Sequence, residues 1–201
     1  LHLPGRHNVL NALAAAGIAM ACGVSLAIIA EGLSAAQPVA GRQIAHTLPN
    51  GAVVIDDSYN ANPGSLVAAI DTLAASGEQA WLVLGDMREL GADEVALHAQ
   101  AGIRAREAGV KRLYTLGPLS EAAAQAFGEG ARHFDTHAAL ATALSADLSS
   151  AGTNLPPSGN NHSPFPIPHS LRVLVKGSRG SAMDKIVTAL LKRDEDTPHV
   201  A

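Results

Sequence analysis

From residue 51 onward the chain alternates between short apolar runs and longer segments of helical composition. The runs are Ala52–Ile55, Trp81–Leu84, Leu113–Leu116 and Leu171–Val175, with a weaker one around His133–Phe134. They are apolar at consecutive rather than alternate positions, the pattern of strands covered on both faces. Between them Ser65–Ala75, Asp93–Ala108, Ser120–Phe127, His137–Leu148 and Ala182–Lys192 read as helices. Strands separated by helices predict right-handed crossovers and a mostly parallel sheet with helices on both faces, an α/β fold of the Rossmann-like kind. Ahead of it, Val9–Cys22 and Leu26–Gly32 read as two further helices, the first stopped by Gly23. The stretch 34–43, "SAAQPVAGRQ", shifts to small residues with Pro38 and Gly41. This marks a boundary between a helical portion, 1–40, and a layered domain, 41–201. Residues 149–170, rich in Pro, Ser, Gly and Asn, predict a flexible insert before the last strand.

Composition adds limits. Hydrophobic residues make up 47% of the 201 and charged residues 16%, so a sizeable core is expected. With aromatics at 3%, a net charge of −4 and no long basic run, nucleic acid is not an expected partner. The alanine-rich stretch from Asn8 to Ala30 contains Gly17, Gly23 and Ser25 and lacks the leucine density of a spanning helix, so membrane insertion is not expected either. It also lacks the basic flank of a signal peptide and predicts a buried helix of a soluble protein. The single cysteine, Cys22, forbids a disulfide within the chain and fits a reducing compartment. It is expected to be a small buried core residue, with a reactive thiol as the alternative. A first residue of Leu rather than Met suggests that further polypeptide precedes it.

Candidate chemistry falls where an open parallel sheet puts its ligands, outside the carboxyl ends of the strands. The first apolar run ends in "DDSYN", residues 56–60; the next in "GDMRELG", 85–91; the third in "GPLS", 117–120; the last in "KGSRGS", 176–181. The opposite rim, with "PNGA" and "SGEQA", reads as plain connections. Asp56 and Asp57 are either capping or turn acids, or a split pair with one facing a ligand hydroxyl or metal and the other orienting a loop. Asn62 followed by Pro63 reads as a helix cap and first helical residue. Lys176 and Arg179, between glycines beside a predicted helix start, read as an anion clamp or as a surface basic turn. His162 and His169 match no metal-ligand spacing. Neither a GxxxxGK[ST] phosphate loop nor a GxGxxG fingerprint is present, so a complete triphosphate site is not encoded, and no Ser/His/Asp set can be assembled.

Taken together and in order, "GRHNVLNALAAAGIA", "DDSYNANPGS", "LVLGDMRELG" and "VLVKGSRGSAMD" resemble the C-terminal part of a Mur ligase. The resemblance covers nearly the whole chain apart from the proline-rich insert and the tail. "DDSYNANP" with "KGSR" is what favours the branch that adds D-Ala-D-Ala to UDP-N-acetylmuramoyl-tripeptide for peptidoglycan. The family's three domains then imply that residues 1–40 are a helical remnant of a central ATPase domain. They also imply that the N-terminal and remaining central domains are absent, and that this portion is inactive alone. The implied chemistry is ATP-dependent amide formation through an acyl phosphate, in the bacterial cytoplasm, with magnesium held by ligands upstream. By matched position the resemblance assigns Asn8 and Asn11 to the adenine, Asp57 to the ribose hydroxyls and Arg42 to the ATP phosphates on closure. Tyr59, Asn60 and Asn62 become contacts for the nucleotide or the dipeptide. Lys176, Ser178 and Arg179 face the D-Ala-D-Ala carboxylate or the acyl phosphate, so that Arg42 and Lys176 carry the catalytic expectation. A stand-alone Rossmann-like module binding a nucleotide or small acid is the alternative; a hydride-transfer enzyme is the weaker one, lacking its fingerprint.

Overall fold

The computed structural model describes residues 6–37, 39–76, 79–152 and 171–195. Six strands form one sheet in the order β1-β2-β6-β3-β4-β5. They are β1 (Ile44–Thr47), β2 (Val53–Asp57), β3 (Ala80–Gly85), β4 (Arg112–Leu116), β5 (Ala131–Phe134) and β6 (Arg172–Lys176). All neighbours run parallel except β1, which pairs antiparallel with β2. The expected α/β architecture is therefore present, with one strand the apolar runs did not reveal. β1 is a short edge strand whose residues alternate between half-buried and exposed, so it leaves no continuous apolar signature. Its trace in the sequence is Asn50-Gly51, read above as a plain connection. Gly51 takes φ +82°, Leu48 N–H donates to the Ala52 carbonyl (2.8 Å), and the chain turns back as a hairpin.

Strand alternation builds two cores. On one face Trp81, Val83, Tyr114, Val173 and Val175 meet α6 (His137–Gly152) and α7 (Asp184–Glu195) through Leu140, Leu144, Ile186 and Leu190. On the other, Leu82, Leu84, Leu113 and Leu174 meet α3 (Pro63–Ala75), α4 (Glu94–Glu107) and α5 (Glu121–Phe127) through Leu66, Ile70, Ala105 and Phe127. Helices cover both faces, which is why the strands read as unbroken apolar runs.

The close approach of α4 to α5 depends on Gly102. A Cβ there would run into the Ala123 carbonyl, 2.8 Å from its carbon and 3.0 Å from its Cα. Gly102→Ala in an exposed helix would stabilise by about 1 kcal/mol. Here a backbone carbonyl cannot swing aside, and the expected outcome is a loss of about 1–3 kcal/mol, read as a lower midpoint in thermal unfolding.

A polar cluster closes the first core. Tyr114 Oη donates to Asp147 Oδ2 (2.6 Å), and Arg112 and Arg132 pair with the same carboxylate at 3.2 and 3.0 Å. Burial, then the bond to Asp147, pushes the Tyr114 phenol up from its ordinary value of 10.0. The folded state thus holds this proton more tightly than the unfolded chain, which releases it near pH 10. Stability contributed here is complete below that pH and declines as pH rises through the alkaline range. Urea midpoints between about pH 9 and 11 should fall more steeply for the native chain than for Tyr114→Phe.

Two expectations need correction. α1 (Arg6–Ala21) and α2 (Leu26–Ala35) are present but not buried: neither contributes to a core cluster, Ile18 and Leu26 are 68% and 67% exposed, and Cys22 is exposed. The sequence pattern of a buried helix is there, but the sheet's two faces are already covered by α3 to α7. The second concerns residues 149–152, assigned to the flexible insert, which continue α6. The Ser149 and Ser150 hydroxyls turn back along the helix and donate to the carbonyls of Ser145 and Ala146 at 2.9 and 3.0 Å. Residues 153–170 of the insert, with His162 and His169, lie outside the described residues.

Candidate functional site

Parallel register brings the polar strand ends together. Asp57 lies beside Lys176, Lys176 beside Leu84, and Gly85 beside Leu116, so the tips of β2, β6, β3 and β4 share one rim as the sequence predicts. The loops leaving them interlock. Asp86 accepts from Leu119 N–H (3.1 Å) and Ser120 N–H (2.8 Å), satisfying donors at the start of α5. The Asp86 carbonyl accepts from Ser178 N–H (3.0 Å) and the Ser181 hydroxyl (2.7 Å). Gly117, at φ +105°, has no room for a Cβ, which would lie 2.6 Å from the Asp86 carboxylate. Met87 N–H donates to His98 Nε2 (2.8 Å), so His98 carries its proton on Nδ1 and donates it to the Glu94 carbonyl (2.6 Å). "GDM", "GPLS" and "KGSRGS" are thus one clasp. The carboxylate of "GDM" builds loop structure and is not exposed for chemistry.

Beside this clasp opens a pocket of about 430 Å³. α1 supplies Asn8 and Asn11 to its wall, and the turn after α2 supplies Arg42 and Gln43. Strand tips and the start of α3 supply Asp57, Tyr59, Asn60, Asn62 and Lys176. Every predicted site residue except Ser178 and Arg179 therefore lines one cavity, although α1 and β6 are far apart in sequence.

The partners of these side chains sharpen their roles. Lys176 Nζ donates to Asp57 Oδ2 (2.6 Å) and to the Asn60 carbonyl (3.0 Å), in a pair whose side chains are 4% and 12% exposed. Asp56 instead shapes the loop: its Oδ1 accepts from both the N–H (3.1 Å) and the hydroxyl (2.5 Å) of Ser58. The adjacent acids are split, one neutralised in the sheet and one organising a turn. Asn62 caps α3 in a reciprocal box, accepting from Ser65 N–H (2.8 Å) while its own N–H donates to Ser65 Oγ (3.2 Å). Ser178 accepts from Arg88 N–H (2.8 Å) and donates to the Ala61 carbonyl (3.3 Å), buried behind the pocket. The reading of Lys176 and Arg179 beside a helix start is not met directly. A 3₁₀ turn at Arg179–Ser181 and a left-handed Ala182 (φ +48°) separate them from α7. Arg179 is exposed, with its guanidinium carbon 5.4 Å from the centre of the Tyr59 ring.

Gln43 was missed by the sequence reading. It is non-glycine yet takes φ +53°, two residues after Gly41 (φ +73°), and nothing in residue type announces that. No group of three or more His, Cys, Asp or Glu side chains able to hold a metal ion occurs among the described residues. Asp56 and Asp57 each have one carboxylate oxygen engaged within the fold.

Comparison with known proteins points one way. Residues 41–155 match a family described as Mur ligase, glutamate ligase domain. The UDP-N-acetylmuramoyl-tripeptide–D-alanyl-D-alanine ligase of Escherichia coli K12 is 40% identical over 94% of this chain and 38% of its own length. The enzyme of the same name from Mycobacterium bovis is 42% identical over 56% of this chain and 24% of its own length. The crystal structure of MurF from Acinetobacter baumannii superposes on 96% of this chain and 39% of its own, with a TM-score of 0.77 at 31% identity. The chain thus spans well under half the length of the relatives it matches.

Proposed function

The chain belongs to the Mur ligase family, and from that premise we propose that it forms the C-terminal part of an ATP-dependent ligase joining D-Ala-D-Ala to UDP-N-acetylmuramoyl-tripeptide in peptidoglycan precursor synthesis. The relatives carry that name. The observation that carries the reading is the single pocket in which α1, the turn at Arg42 and the tips of β2 and β6 meet. A nucleotide needs that mixture: amides for a base, an acceptor for a ribose, a cation for phosphates.

Asn8 and Asn11, three residues apart on one helical face, present amide donors and acceptors to the adenine edge. Asp57 has Oδ2 engaged by Lys176, which leaves Oδ1 to accept from a ribose hydroxyl. Arg42 is exposed at the pocket, and its guanidinium fork suits the phosphates. Lys176 spends two of its N–H groups on Asp57 and Asn60. Its first task is to neutralise Asp57, and its third proton is what remains for an anion. Asn60 and Tyr59 edge the mouth of the pocket toward the incoming dipeptide. Asn62 and Ser178 act by holding the loops, since each is already used as a cap or a clasp. Arg179, exposed beside the Tyr59 ring, remains available for an anionic group at this edge of the pocket.

The reaction assigned is transfer of the ATP γ-phosphoryl group to the tripeptide carboxylate. Attack by the D-Ala-D-Ala amine on the resulting acyl phosphate follows, and inorganic phosphate leaves. This chain's part is to bind the nucleotide, counter its charge through Arg42 and shield the acyl phosphate from water. Magnesium, expected from ligands outside this chain, would screen the ATP phosphates. Among the described residues no helix is long and apolar enough to cross a membrane, and the bacterial cytoplasm is the setting proposed.

The test is phosphate release. A full-length ligase containing this sequence should release phosphate only when D-Ala-D-Ala and the UDP-linked tripeptide are both supplied, and the 201-residue chain alone should release none. Release by the chain alone, or release indifferent to D-Ala-D-Ala, would contradict the assignment.

A further inference from the structure

The Tyr59 backbone is held between Gly41 and Ser58. Its N–H donates to the Gly41 carbonyl at 2.9 Å. Gly41 is buried against it so closely that a Cβ would lie 2.9 Å from Tyr59 N and 3.2 Å from Ser58 Oγ. Ser58 in turn is fixed by Asp56 Oδ1. The loop after β2 and the turn bearing Arg42 are therefore latched backbone to backbone, in a close approach that a left-handed glycine at 41 permits and a Cβ would obstruct. On this latch the Arg42 guanidinium carbon lies 4.3 Å from the Tyr59 ring centre, and that of Arg179 lies 5.4 Å from it.

Two guanidinium groups thus share one tyrosine ring, and among the described residues neither has a carboxylate partner. Arg88 adds a third cation nearby, its Nε 3.0 Å from where a Cβ on Gly180 would sit. Such a gathering of unpaired positive charge is favourable only with something to offset it, and the face of the ring does so in part. Stacking uses the face of a guanidinium and leaves its in-plane N–H fork free, so an arginine held on a ring can still grip an anion edge-on.

We infer that Tyr59 is a positioning residue that acts through Arg42 and Arg179. It holds the two guanidiniums as one seat for an oligophosphate at the mouth of the pocket, and does not itself contact the ligand. This deepens the nucleotide reading and rests on it for the identity of the anion. The ring is what matters, so Tyr59→Phe should behave like the native chain and Tyr59→Leu should not.

The probes are inorganic pyrophosphate and, separately, ADP, added to the 201-residue chain. The arginine Nε–H signals are followed by NMR. In the native chain and Tyr59→Phe the Arg42 signal should be displaced by the ring and should respond saturably to pyrophosphate. Tyr59→Leu should return it to the position of a free arginine and weaken pyrophosphate binding roughly two- to fivefold. In an Arg42→Ala, Arg179→Ala background, Tyr59→Leu should have no further effect on affinity. Unchanged pyrophosphate affinity in Tyr59→Leu would reduce the tyrosine to loop packing and overturn the inference. So would native binding no tighter than that of Arg42→Ala. Failure of ADP to bind where pyrophosphate binds normally strikes instead at the nucleotide reading and leaves the arginine seat intact.

Discussion

Lys176→Ala should destabilise the chain by about 3–5 kcal/mol in urea unfolding, the largest effect expected of any single change at the site. The ammonium lies in the sheet at the end of β6, 2.6 Å from Asp57 Oδ2, with both side chains almost withdrawn from solvent. Removing it strands a carboxylate in a poor solvent and deprives the Asn60 carbonyl of a donor. Against a total stability of about 5–15 kcal/mol, such a loss can unfold a domain. The pair need not add stability when intact, because desolvation opposes the Coulomb attraction. The double change Asp57→Asn, Lys176→Met should therefore recover much of what Lys176→Ala loses. An unfolding midpoint unchanged by Lys176→Ala would show that the pair is open to water. The same reasoning disqualifies Asp57→Ala as a clean probe of ATP binding, since it would leave a buried ammonium unpaired.

Arg42→Ala should do the reverse, sparing the fold and removing activity. Its side chain is exposed, and its contact with Tyr59 is worth no more than about 1 kcal/mol. If its fork meets charge that builds on the phosphates in the transition state, turnover of the full-length ligase should fall on the order of 10²–10³-fold. Arg42→Lys should restore only part of this, because an ammonium keeps the charge and loses the planar fork. Turnover is measured beside thermal stability, so that a folding defect cannot imitate a catalytic one. Native turnover in Arg42→Ala would remove this residue from the phosphate site.

Those two side chains show what a sequence makes legible and what it hides. The parallel strands were readable because burial on both faces writes itself as consecutive apolar residues, and the polar rim followed from where those runs ended. β1 was not, because a four-residue edge strand with one face half-buried carries no such run. The site residues could be gathered on one rim, but their partners could not. Lys176 and Asp57 are separated by 119 positions, and only the strand order, with β6 inserted between β2 and β3, makes them neighbours. Likewise "GDM" is a polar strand end like the others. Its Asp86 proves to be a clasp only once the start of α5 is seen to supply its two N–H donors. The apolar helices α1 and α2 misled in the other direction: an apolar composition reports that a surface calls for cover, and not whether this chain supplies it.

Everything about function turns on the pocket between α1 and the strand tips being a nucleotide half-site. Titration of the isotopically labelled 201-residue chain with ADP, followed through its amide and side-chain NMR signals, tests this most directly. Saturable shifts should cluster at Asn11, Arg42, Asp57, Tyr59 and Asn60 and leave the opposite rim, at Asn50 and Gln79, unmoved. Shifts centred on that opposite rim, or none up to saturating nucleotide, would contradict it.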